Sequence, residues 1–238
     1  PNGHPEVPLE DVEQALRIMT GLEAGATGFT AGKVGIVGSS AGGHLAASAS
    51  TLAETKPAFS ILFYPVITAE KGKGHQGSFN ALLGGSRNAE SDTWYSLQNR
   101  VTAQTPPTLL LLSDDDKVVP PVNGILYYNA LKEHGVKASM HIYPTGGHGW
   151  GIRDRFKYKE QWQQATLDWL EELNDDRNTA SVLLRQPGLP GCVDVGIRPA
   201  TSRKSAGREL AEAAVQAAVQ EFGQQVRSRR ESDWPAGQ

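Results

Sequence analysis

The stretch Lys33-Val34-Gly35-Ile36-Val37-Gly38-Ser39-Ser40-Ala41-Gly42-Gly43-His44-Leu45-Ala46-Ala47 limits what this chain can fold into more than any other. A short apolar run (Val34, Ile36, Val37) stops at Gly38, and an alanine-rich helical pattern begins after Gly42. Between them lies G-x-S-x-G with Ser40 at its centre, the strand, sharp turn and helix of a nucleophile elbow. Such a turn strains the backbone at the serine and leaves no room for side chains two residues to either side. Gly38 and Gly42 are expected to meet that demand. The N–H of Ala41, at a helix N-terminus, would point to the same place as the serine oxygen and stabilise an oxyanion there.

The rest of the chain supplies a setting for such an elbow. Pro8 suits a first helical turn, and Val12, Ala15, Leu16 and Met19 recur at helical spacing up to Gly21. Residues 23–32 read as a Gly-rich loop into the first strand, and residues 45–52 continue the helix after the elbow with small side chains. Residues 58–66 form a nearly continuous apolar run, as expected of a parallel strand covered on both faces. Residues 68–106 are too long for a plain connection and read as a partly helical excursion over the active face. A third strand at 109–112 leads to an acidic turn, then a helix over 122–134 that ends at Gly135. Residues 137–143 alternate as a fourth strand, with Ala138, Met140 and Ile142 on one face. Trp162, Ala165, Trp169 and Leu173 make the stripe of a closing helix. This alternation predicts an α/β fold: a mostly parallel sheet of about four strands with helices on both faces.

Near residue 174 the pattern changes. Residues 1–177 read as the catalytic domain and 178–238 as a low-periodicity tail with one amphipathic helix over 209–226, carrying Leu210, Ala214, Ala218, Phe222 and Val226. A basic run over 227–230 follows, and there is no internal repeat. A net charge of -3 argues against nucleic acid as a partner. No apolar run approaches the roughly 18 residues of a membrane helix. The single cysteine, Cys192, excludes an internal disulfide and leaves the compartment open, cytoplasmic or secreted from a bacterium. The chain opens on Pro1 rather than Met, so a leader ahead of it stays an open question.

Ser40, Asp116 and His148 fall in that order, each just after a predicted strand, where catalytic groups of open α/β sheets gather. Ser40 would attack a carbonyl carbon, and His148 would take its proton and return it to the leaving alcohol. The carboxylate would hold the imidazole tautomer. Asp114, Asp115 and Asp116 are consecutive, and an aspartate run after a strand is also a common solvated turn. Asp116 is favoured because Val119 and Pro120 follow it to fix the loop, with Asp114 as the alternative. Among the histidines, His148 alone lies in a Gly-flanked loop after the last strand. His44 reads as structural, His141 as a packed or surface strand residue, and His4, His75 and His134 as surface residues. Tyr64 and Trp150 are candidate pocket walls, with packing as their alternative role. No spacing of His, Cys and carboxylates suggests a metal site, and no cofactor is expected.

Several motifs extend the pattern: Gly-Ser-Ser-Ala-Gly-Gly-His-Leu-Ala at 38–46, Phe-Asn-Ala-Leu-Leu-Gly at 79–84, and Tyr95-Ser96-Leu97. Thr105-Pro106-Pro107-Thr108, Asp116-Lys117-Val118-Val119-Pro120 and residues 143–149 continue it. Together, over residues 8 to 173, they resemble the α/β-hydrolase superfamily and, more narrowly, its acetyl xylan esterase-like carboxylesterases. The resemblance implies a serine esterase removing short acyl groups from plant-polysaccharide sugars, with Ser40 as nucleophile, Asp116 as acid, His148 as base and Ala41 as an oxyanion donor. Its partner would be a small ester or an acetylated carbohydrate. Members of that family begin with further strands and a His-Gly-Gly-Gly loop, so this chain reads as N-terminally incomplete, with an unpaired edge at the strand before Ser40. That edge, or the helix of the tail, would be the route to an oligomer. A prolyl-oligopeptidase-type peptidase and a non-catalytic hydrolase-fold remnant are the competing readings.

Overall fold

Four short apolar runs become four parallel strands: β1 (Ile36–Ser39), β2 (Ser60–Phe63), β3 (Thr108–Ser113) and β4 (Ala138–Tyr143). They lie side by side in the order β1-β2-β3-β4. The computed structural model describes residues 3–21, 33–151 and 153–183, with side chains described as far as 174. Parallel neighbours cannot be joined by hairpins, so each connection is a crossover. The helices are α1 (Glu6–Thr20), α2 (Ala41–Thr51), α3 (Gln76–Leu83), α4 (Ala89–Trp94), α5 (Val122–Glu133) and α6 (Lys159–Leu183).

Strand β3 explains why the sheet is stable. All six of its residues are buried, and Leu109, Leu110, Leu111 and Leu112 are at most 2% exposed, as a strand covered on both faces requires. On one face Leu62 and Leu110 pack with Ala46 and Ala47 of α2 and with Tyr127 and Leu131 of α5. The alanines let α2 lie close to the sheet. On the other face Phe63 meets Trp150 and Trp162 edge-on, with ring centroids 5.6 and 5.1 Å apart. Truncating any of these buried leucines to alanine costs roughly 2–5 kcal/mol.

Several boundaries differ from the sequence reading. Strand β2 ends at Phe63 rather than residue 66, because Tyr64 adopts a φ of 35° and Pro65 follows, which together turn the chain out of the ladder. Ala138 and Met140 pack against the core, but Ile142, near the end of edge strand β4, is 39% exposed. Strand β1 is the other edge among the described residues, and its Val37 is 60% exposed. The excursion contains α3, α4 and two single-turn 3-10 segments, Gly84–Ser86 and Leu97–Arg100. His75, expected at the surface without a role, caps α3 by accepting the N–H of Ser78 at 3.2 Å.

The chain divides into two compact units, Pro1–Trp162 and Gln163–Gln238. The closing helix α6 runs to Leu183, past residue 177, where the sequence reading ends the catalytic domain. The helix expected over 209–226, the basic run, Cys192 and the loop over 23–32 lie outside the described residues.

Candidate active site

Ser40 sits between β1 and α2 with φ 55° and ψ -122°, a conformation that a non-glycine residue holds only where its surroundings over-determine it. Those surroundings are visible. The Ser40 N–H donates to the Phe63 carbonyl at 3.0 Å. The Ser40 carbonyl accepts from the N–H groups of Val66 (3.1 Å) and His44 (3.2 Å). A Cβ at Gly38 would stand 2.3 Å from the Gly42 carbonyl oxygen and 2.8 Å from the Ala46 Cβ, so glycine is required there. At Gly42 a Cβ would meet nothing within 4 Å. The second crowded position is Gly43, where a Cβ would lie 2.7 Å from the Pro65 Cβ. The steric demand of the turn therefore falls on Gly38 and Gly43, and Gly42 contributes its backbone rather than an absent side chain. Ala41 opens α2, with its N–H at the helix N-terminus.

Of the three consecutive aspartates, Asp114 and Asp115 are exposed, and Asp116 is 4% exposed. Asp116 Oδ1 accepts the N–H groups of Val118 and Val119, each at 2.9 Å. Its Oδ2 lies 2.7 Å from His148 Nδ1. Asp115 braces the histidine loop instead. Its Oδ1 accepts the Gly147 N–H at 2.7 Å, and that bond holds its carboxyl below the usual range. His148 Nε2 lies 2.8 Å from Ser40 Oγ. A carboxylate only accepts, so the His148 proton sits on Nδ1 and Nε2 is left to accept from the serine hydroxyl. Ser40, His148 and Asp116 thus form one hydrogen-bonded chain across three strand ends. Gly146 makes the histidine loop possible, because at φ 150° a Cβ would strike Phe156 at 2.4 Å and Ser113 Oγ at 2.7 Å.

Tyr64 and Trp150 divide the two roles offered to them. Trp150 is 3% exposed, stacks on Phe156 with centroids 4.0 Å apart, and lines a cavity of about 330 Å³. His148, Phe156, Arg153, Arg155 and Lys157 also line it. Tyr64 does not line this cavity. Its ring sits edge-on to His148 at 4.7 Å, and its oxygen accepts from the Ser39 hydroxyl and the Gly151 N–H. Burial pushes this phenol up to about 12, against those bonds and the nearby charge of Arg153. Tyr64 therefore ties the elbow strand to the histidine loop.

His44 is a buried structural residue. Its Nε2–H donates to the Tyr95 carbonyl at 2.9 Å, and Phe79 meets its ring edge-on at 5.4 Å. Burial pulls its pKa down to about 4, partly opposed by the bond to Tyr95. Sequence reasoning missed Asn123, which is 1% exposed. Its Oδ1 accepts the N–H groups of Ile67 (3.0 Å) and Thr68 (3.2 Å), and its Nδ2 donates to the carbonyls of Lys73 and Pro120. It pins the start of the excursion to the loop after Asp116. An asparagine among apolar residues in a first helical turn was the available signal. The basic residues after Trp150 were also passed over, although their spacing was plain.

A parallel sheet with its serine at a strained strand–helix turn, and an acid and a histidine at later strand ends, defines the α/β-hydrolase fold. Residues 7–176 match the prolyl oligopeptidase family, and the chain belongs to that family. Within it the chain is acetyl xylan esterase-like. It is 41% identical over 179 residues to an acetylxylan esterase of Xylanibacter ruminicola, covering 73% of this chain and 37% of that one. It is 32% identical over 155 residues to the endo-1,4-beta-xylanase B of Butyrivibrio fibrisolvens, covering 60% and 24%. Among solved structures, an acetyl ester-xyloside bifunctional hydrolase of Caldicellulosiruptor lactoaceticus superposes with a TM-score of 0.65 at 32% identity, over 70% of this chain and 66% of that one. The chain thus spans 37% and 24% of the length of these two curated relatives.

Proposed function

We propose that this chain carries the catalytic site of a serine carboxylic-ester hydrolase that removes acetyl or other short acyl groups from plant-polysaccharide sugars such as xylan. The observation that carries the reading is the hydrogen-bonded chain from Ser40 Oγ through His148 to Asp116. In the proposed reaction Ser40 Oγ bonds to the ester carbonyl carbon while its proton passes to His148 Nε2. The carbonyl oxygen becomes an oxyanion facing the Ala41 N–H. Asp116 stabilises the imidazolium. Collapse of the intermediate breaks the bond to the sugar oxygen, which takes the proton from His148 and leaves as an alcohol. Water then attacks the acyl-serine by the same route, giving the free acid and restoring Ser40. The acetyl and xylan parts of the reading rest on what the similar proteins are named for.

The family also makes a peptidase the second reading, since an amide uses the same nucleophile and acid–base pair. The deciding experiment measures acetate release from acetylated xylan and from 4-nitrophenyl acetate by the full chain and by Ser40→Ala. Acetate release that vanishes in the variant is the expected result. Retained release in Ser40→Ala removes Ser40 from the mechanism. Cleavage of a proline-containing peptide amide without ester hydrolysis selects the peptidase. A folded chain whose Ser40 fails to label with a fluorophosphonate is a non-catalytic remnant.

A further inference from the structure

Beside His148 lies a charge arrangement that a neutral acetyl ester does not use. Residues 153–159 hold four cations, Arg153, Arg155, Lys157 and Lys159, against one carboxylate, Asp154, in a chain whose net charge is -3. Lys159 is paired with Asp154. Arg153, Arg155 and Lys157 carry no ion pair among the described residues, and all three line the cavity of about 330 Å³ that His148 also lines. This volume falls within the roughly 300–1,000 Å³ of small-molecule sites.

Three backbone hydrogen bonds shape the turns that carry the cations. The Arg153 N–H bonds to the Trp150 carbonyl at 2.8 Å, the Phe156 N–H to the Arg153 carbonyl at 3.0 Å, and the Lys159 N–H to the Phe156 carbonyl at 3.1 Å. Phe156, between the two arginines and Lys157, is buried against Trp150. The charge of Arg153 reaches the Tyr64 phenol, whose ring touches His148. Carboxylates near the site are committed elsewhere or stand outside the cavity. Asp116 binds His148, Asp115 binds the Gly147 N–H, and neither these nor Asp114 line it. The feature is therefore a positively charged surface recess, its three cations exposed, that shares His148 with the hydrogen-bonded chain.

His148 is the group that would hand its proton to the leaving alcohol, so a recess lined by His148 and not by Ser40 or Ala41 suits the sugar better than the acyl group. Two guanidinium groups and an ammonium in a cavity with aromatic walls suit a sugar ring bearing a carboxylate, because arginine forks pair with carboxylates in two parallel hydrogen bonds. Resting on the esterase reading above, we infer that this recess receives the alcohol part of the ester. Arg153, Arg155 and Lys157 there select acylated sugars that carry a uronic acid carboxylate at or next to the acylated unit.

The test compares kcat/KM of the full chain on an acetylated methyl glucuronoside and on an acetylated methyl xyloside at low salt. The expected preference for the uronate is about tenfold or more, falling as salt screens the cations. In the variant carrying Arg153→Gln, Arg155→Gln and Lys157→Gln the ratio of the two values should collapse to about one. The matching variant with Arg153→Lys and Arg155→Lys should keep part of it. Equal rates in the wild type, or a preference that survives in the triple glutamine variant, overturn the inference. If neither ester is hydrolysed, the esterase reading fails separately. The recess is then read by calorimetric titration with methyl glucuronide and methyl xyloside. Uronate binding about tenfold tighter, lost in the triple variant, upholds the recess, and equal binding overturns it.

Discussion

Replacing His44 with glutamine should remove one defined part of the protein's sensitivity to mild acid. In the folded chain the imidazole is buried in α2 against Phe79 and Tyr95, with a pKa of about 4 in place of its ordinary 6.5. Between those two values the unfolded chain binds a proton that the native state refuses, so stability rises with pH across the window and is fully present above 6.5. A tenfold change in proton affinity is worth about 1.4 kcal/mol. From this group alone the wild type should lose about 2 kcal/mol between pH 7.5 and pH 5, and about 3 kcal/mol by pH 4. The assay is urea unfolding followed by tryptophan fluorescence at pH 7.5, 6 and 5. With a urea dependence near 2 kcal/mol per molar, the wild-type midpoint should fall by about 1 M more than that of His44→Gln. The variant starts lower at pH 7.5, because it loses the fit to Phe79 and the bond to Tyr95, and the gap narrows as the pH drops. Two midpoints that fall in parallel would refute the assignment of His44 as a neutral buried imidazole.

Two further substitution pairs test the geometry of the site. Asp116→Asn should lower kcat/KM for 4-nitrophenyl acetate by a factor on the order of 10⁴, since an amide cannot hold the His148 tautomer. Asp115→Asn, which weakens the bonds to the Gly147 and Gly146 N–H groups, should cost less than tenfold, and equal losses would mean that the two aspartates share the role. Gly38→Ala should destabilise the fold by about 2 kcal/mol or more in urea unfolding, because its Cβ has the Gly42 carbonyl 2.3 Å away. Gly42→Ala should be neutral or stabilising by up to about 1 kcal/mol, and a loss as large as that of Gly38→Ala would restore the symmetric picture of the turn.

The parallel sheet was legible in the sequence because its signals are local. Residues 109–112 are an apolar block flanked by turns, and a strand of that kind belongs in the middle of a doubly covered sheet. The order Ser40, Asp116, His148 was legible because each residue follows a strand, and parallel strands bring their carboxyl ends to one edge. Other features depend on which distant residue becomes a neighbour, and no local pattern records that. Gly43 is required only because Pro65 packs over it. Tyr64 was open to reading as a pocket wall, but its partners are Ser39, Gly151 and the ring of His148. The basic residues 153, 155 and 157 gain meaning only once His148 is found on the wall of the same cavity.

The support of Ser40 comes from one side. The Phe63 carbonyl, the Val66 N–H and Pro65 all belong to the end of β2 and the turn after it. Tyr64, in the same turn, holds Ser39 and the histidine loop, and the Tyr95 carbonyl in the excursion holds His44 one helical turn beyond the serine. Across the other edge of β1 no strand pairs with it among the described residues, and Val37 is exposed there. Among the described residues, the strained conformation at Ser40 is held by β2 and the turn after it, with the excursion bracing His44. A neighbour added along that edge would protect β1 from non-specific pairing, while the backbone bonds of Ser40 to Phe63 and Val66 are made on the opposite side. Positioning of the serine thus draws on residues 63–66, which are in contact with the elbow, and on Tyr95 through His44.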